Sequence, residues 1–79
     1  MLSDQISHPK HYNFGKYEVI DVIYDWNLDF DLGNVIKYIA RAGRKNKNTY
    51  LEDLKKAREY LDHKIYFEET IKKEVENNV

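Results

Sequence analysis

The sequence predicts an all-α fold, with three helices behind an irregular N-terminal arm. Two observations lead there. Apolar residues recur three and four positions apart across most of the chain, and no segment alternates as a strand would. Caps and stops also fall between those periodic stretches.

Residues 1–15 read as the arm, in which Pro9 holds His8 extended and Asn13-Phe14-Gly15 turns the chain. Residues 16–73 read as the helical core of one domain spanning 1–79. The first helix is expected from Tyr17 to Leu28, because Val19, Val22, Ile23 and Trp26 share a helical stripe. Asn27 to Asp31 is a short turn rich in capping residues.

The second helix is expected from Leu32 to Ala42, with Asp31 as its N-cap. Its stripe is Leu32, Val35, Ile36, Ile39 and Ala40. Gly43 fits a C-terminal stop, and Arg44 to Asn48 form a polar loop. Thr49 with Glu52 three residues on has the form of a capping box. A long third helix follows from Tyr50 to about Lys73, with Leu51, Leu54, Ala57, Leu61 and Ile65 on one face, and residues 74–79 are expected to fray. Its distal Phe67, Ile71 and Val75 have nothing left in the chain to cover them, so a homo-oligomer is expected.

Composition narrows the function classes. A chain of 79 residues makes one small domain, whose stability rests on long helices or on association. Hydrophobic residues at 42% and charged residues at 34% describe a soluble globular protein. The absence of cysteine excludes disulfides and thiolate metal sites. No segment approaches the roughly 20 apolar residues of a membrane span, and the polar start is no signal peptide. A cytoplasmic location is therefore expected. The net charge of −1 argues against general nucleic-acid binding.

Against that near-neutral balance stands Lys37-Tyr38-Ile39-Ala40-Arg41-Ala42-Gly43-Arg44-Lys45. No acid lies between Asp31 and Glu52, so its four cations are locally uncompensated. Lys37 and Arg41 share a helix face and Arg44 follows three further on. Arginine forks and lysine point charges both suit phosphate. Basic residues also simply complement a helix C-terminus, so the stretch alone supports either reading. His8-Pro9-Lys10-His11-Tyr12 adds groups that can stack on a base, bind phosphate or carry protons. The His8/His11 spacing is not a zinc pattern, and no metal site is expected there.

Glu18/Asp21 and Glu59/Asp62 are spaced three apart, as in the carboxylate pairs that hold magnesium in all-α, MazG-like pyrophosphatases. Among fourteen acids, ordinary helix surface is the simpler reading. Asp53, Lys56, Arg58 and Lys64 read as exposed helix charges, save any that face the basic ridge. Gly15-Lys16 lacks both the upstream glycine and the following Ser or Thr of a phosphate-binding P-loop.

Four blocks then occur in order: His8 to Tyr12, Glu18 to Asp21, Gly33 to Lys45, and Glu52 to Leu61. Over about residues 7–62 the chain resembles a small phage-encoded family, often called SaV-like and largely of unknown function. That family includes a coliphage nucleotide kinase which phosphorylates deoxynucleoside monophosphates without a P-loop. The resemblance implies a phage or prophage nucleotide-binding protein, with His8, His11, Tyr12, Lys37, Tyr38, Arg41, Arg44 and Lys45 at or near the site. A kinase would use ATP with magnesium, and His8 or His11 would be the catalytic proton carriers. This chain looks like the bare domain, whereas the kinase carries additional sequence. A non-enzymatic protein that sequesters a nucleotide or nucleotide-derived signal, and a module that contacts a host protein, are the alternatives.

Overall fold

The computed structural model describes residues 10–77. A 3-10 turn at Lys10–Tyr12 leads to α1 (Val19–Asp25) and α2 (Phe30–Arg41). A second 3-10 turn at Lys47–Thr49 leads to α3 (Tyr50–Asn77). No strand occurs among the described residues, and the fold is the three-helix, all-α arrangement that the sequence predicts.

α1 is shorter than the expected Tyr17 to Leu28. The chain leaves it through Asn27, which adopts the left-handed conformation at φ 53°, and this turn is closed by the Leu28 amide donating to the Ile23 carbonyl at 3.0 Å. Val19 is buried, but Trp26 falls beyond the helix and stays exposed. Residue 33 packs α2 against α1: a Cβ on Gly33 would lie 3.4 Å from Ile23 Cγ2.

Asp29, rather than Asp31, caps α2. Its backbone is extended, as an N-cap requires, and its Oδ1 accepts from the Leu32 amide at 3.0 Å. Asp31 lies inside the first turn. At the far end Gly43 has φ +74°, and a Cβ there would sit 2.8 Å from Tyr50 Cδ2. Gly43→Ala should therefore cost about 1–2 kcal/mol through strain and crowding. An unchanged thermal midpoint would refute that.

α2 and α3 form an antiparallel hairpin joined by polar contacts. Arg41 Nε lies 3.4 Å from Asp53 Oδ1, His63 Nδ1 lies 2.7 Å from Asp31 Oδ2, and Lys64 Nζ lies 2.6 Å from Asp29 Oδ2. The Lys64 ammonium, followed by the Leu32 amide, holds the Asp29 carboxyl below its usual range. Tyr38 stacks on Tyr60 with ring centroids 5.8 Å apart, and Phe30 meets Tyr60 edge-on at 5.9 Å.

The face of α3 turned to α2 is thus Asp53, Ala57, Tyr60 and Lys64, not the leucine line. Leu51, Leu54, Leu61 and Ile65 remain exposed. The reason is that α2 presents charged and aromatic groups at this seam, and α3 meets them with matching ones. Thr49 also departs from the expected capping box. Its hydroxyl donates to the Asn46 carbonyl at 3.0 Å and lies 3.4 Å from Asp53 Oδ2, because the 3-10 turn places it over the first turn of α3.

α3 has 28 residues and is about 42 Å long at 1.5 Å per residue. It outruns the 12-residue α2 and stays helical through Asn77, past the point where fraying was expected. The described body measures 51 × 32 × 18 Å. Its buried hydrophobic residues are Val19 and Ala57. No helix among the described residues is long and apolar enough to cross a membrane.

Candidate functional site

The C-terminal end of α2 is where the sequence concentrates cations, and the fold lays the Lys10–Tyr12 turn against it. The 3-10 turn at Lys10–Tyr12 points the Tyr12 hydroxyl at Arg41, whose Nη1 donates to it at 3.2 Å. One turn of helix separates Lys37 from Arg41, and past the stop at Gly43 the chain brings the backbone of Lys45 back to Arg41. The Lys45 amide donates to the Arg41 carbonyl at 3.3 Å.

Arg41 is the centre of this arrangement. Beneath it lies Asp53, only 3% exposed. Its guanidinium carbon stands 5.2 Å from the centre of the Tyr38 ring. Arg41 Nε is buried and has no hydrogen-bond partner among the described residues, since the 3.4 Å approach to Asp53 is poorly aligned for one. Lys37 Nζ and Lys56 Nζ flank the same Tyr38 ring at 5.2 and 5.9 Å. Cations over an aromatic face are held without being neutralised.

The electrostatic result is read at His11. Burial pushes its imidazole pKa down, and the positive charges of Lys45, Arg41 and Lys37 push the same way while Asp53 opposes them. His11 is therefore neutral at pH 7, and its ring packs on Tyr12 at 4.1 Å. Burial is the larger cause, and the part of the shift that comes from Lys45, Arg41 and Lys37 marks a local excess of positive charge, which favours an anion.

The profile of a family described as proteins of unknown function, DUF3310, matches residues 6–62. The chain belongs to this family. No curated protein and no solved structure matches it. The span takes in the whole basic cluster of this DUF3310 chain and stops at Asp62, short of the distal part of α3.

Within the DUF3310 domain the structure brings His11, Tyr12, Lys37, Tyr38, Arg41 and Lys45 to one end of the helical hairpin. Arg44 is turned aside: its Nε donates to the Ala40 carbonyl at 3.0 Å and its guanidinium covers the Phe14 ring at 3.6 Å. His8 lies outside the described residues. Among the described residues, no three His, Asp or Glu side chains gather as they would to hold a metal ion, so Glu18/Asp21 and Glu59/Asp62 do not form a carboxylate cluster.

Asp53, Lys56 and Tyr60 join the site without having been singled out for it. Asp53 is the exception allowed for among the charges of α3, since it faces Arg41 of the basic ridge and is buried, while Lys64, expected to be exposed, is bonded to Asp29 at the start of α2. A signal was present: Asp53, Lys56 and Tyr60 follow one another at three and four, in register with the inner face of α3. Lys37 also edges a cleft of about 390 Å³ between α1 and α2, lined by Ile20, Ile23, Phe30 and Asn34 among others.

Proposed function

We propose that this chain binds a nucleotide or a similar phosphorylated small molecule at the basic end of α2. The observation that carries the proposal is the gathering of cations at one end of α2, where Arg41 donates to the Tyr12 hydroxyl at 3.2 Å, Lys37 and Arg41 both stand 5.2 Å from the centre of the Tyr38 ring, and the Lys45 amide donates to the Arg41 carbonyl. Lys37 and Lys45 take the phosphate as point charges, and Lys56 adds a third from α3. Arg41, already engaged by Asp53 and Tyr12, contributes field and rigidity more than a new fork. His11 and Tyr12 stand over the phosphates, and the apolar cleft beside Lys37 offers a wall for the sugar or base. A phage or prophage origin, expected from the sequence resemblance, is part of the same proposal.

Titration calorimetry against deoxynucleoside monophosphates and triphosphates tests the binding reading directly. Micromolar affinity for at least one supports it, and no heat with any overturns it. Adding ATP with magnesium to the monophosphates then separates two outcomes. Diphosphate formation makes the protein a kinase, with His11 as the neutral, proton-accepting group nearest the phosphates. Binding without turnover makes it a sequestering protein, the role favoured by Asp53 being committed to Arg41.

Protonation follows from the same site. In the free protein His11 titrates below the ordinary imidazole value, so folded-state stability is fullest above about pH 6.5 and declines as pH falls below it. A bound phosphate opposes the cations, so the His11 pKa should rise on binding. Affinity should then increase as the pH is lowered from 7 toward 6.5, before the phosphate itself gains a proton near about pH 6. Imidazole shifts followed by NMR with and without nucleotide check this. A His11 titration unmoved by ligand would place the anion elsewhere.

A further inference from the structure

We propose that the exposed side of α3 is a self-association seam, along which two copies of this chain pair antiparallel about a two-fold axis near residue 63. The first observation is spacing. Residues 51, 54, 58, 61, 65, 68, 72 and 75 are separated by alternating steps of three and four, the repeat of a coiled-coil seam, sustained along a single unbroken helix. All eight are exposed, with Leu54, Leu61 and Ile65 at 37%, 41% and 46%. They lie to one side of the Asp53–Ala57–Tyr60–Lys64 line that packs on α2, so a second helix can reach them without disturbing the hairpin.

The second observation is complementarity, and it selects the occupant. When the seam is laid against a reversed copy of itself about residue 63, Leu61 meets Ile65, Leu51 meets Val75 and Arg58 meets Glu68. Each pairing occurs twice. The remaining pair sets Leu54 against Lys72, whose alkyl stem can lie along the leucine while its ammonium reaches water. Glu68 already accepts Lys64 through one oxygen at 3.1 Å and keeps a half-exposed carboxylate. A parallel copy would instead oppose Arg58 to Arg58, Glu68 to Glu68 and Lys72 to Lys72. A pattern that is complementary to its own reverse is what a closed two-fold interface needs, and an unrelated partner would have no cause to require it.

The third observation is the thin core. Among the described residues, Val19 and Ala57 are its buried hydrophobic ones, and no large side chain is fully buried. A left-handed pairing of two α3 helices adds a layer of leucine, isoleucine and valine over some seven turns of helix.

The chain has no cysteine, which makes cross-linking clean. Mixing a Leu61→Cys chain with an Ile65→Cys chain under mild oxidation should give mainly the mixed disulfide dimer, with little from either chain alone. In sedimentation, Arg58→Glu or Glu68→Arg should each weaken the dimer about tenfold, and the two combined in one chain should restore it. The result that overturns the proposal is a monomer at micromolar concentration. Leu61→Cys cross-linking to itself as readily as to Ile65→Cys, or charge reversals without effect, would overturn it equally. Helical circular dichroism on each variant separates loss of pairing from loss of fold.

Discussion

Replacing Asp53 by alanine is expected to lower the stability of the fold by about 3 kcal/mol, the range measured when one member of a buried ion pair is removed. Asp53 is 3% exposed and its carboxylate faces Arg41 at 3.4 Å. Without it Arg41 keeps its charge but is left with the Tyr12 hydroxyl and the Tyr38 ring. The Thr49 hydroxyl loses a neighbour at 3.4 Å as well. For a domain of this size such a loss lowers the thermal midpoint by roughly 10–20 °C. Asp53→Asn, which keeps the shape and an acceptor for Thr49, should recover part of it. A shift of only a degree or two for Asp53→Ala would mean that Arg41 finds water as readily as it found the carboxylate.

The largest effect on binding is expected from Lys37→Glu combined with Lys45→Glu. Neither lysine belongs to the polar seam between α2 and α3, so helicity should survive. Reversing two charges beside one phosphate should weaken a nucleotide by at least about a hundredfold, on the order of 3 kcal/mol. The His11 pKa should climb toward its ordinary value in the same variant, because two of the cations that hold it down are gone. Calorimetry and an NMR titration of His11 measure the two effects independently. Retained affinity with a raised histidine would show that the cations gather there without a ligand to serve.

The cationic end of α2 was legible because its determinants are local. Lys37 and Arg41 share a face by helical periodicity alone, and Gly43 marks its own left-handed stop. The choice of cap was less so. Asp29 and Asp31 both suit the role by type, and only the extended backbone at Asp29 decides between them. Asp53 was the hardest to read, for it sits in a helix rich in charges and owes its burial to an arginine arriving from another element. The leucine line of α3 misled for a related reason. Hydrophobicity marks a face as one to be covered, but says nothing about whether the cover comes from the same chain.

The polar joints of the hairpin have a kinetic consequence. Asp31 with His63 and Asp29 with Lys64 join α2 to α3, helices consecutive in the chain. Helical chains, whose contacts lie mostly within their helices and between consecutive ones, fold in microseconds to milliseconds. The hairpin should therefore assemble before anything else does, and at a rate independent of protein concentration. Any refolding phase that quickens on concentrating the sample would then report a later event, the meeting of helices from different molecules.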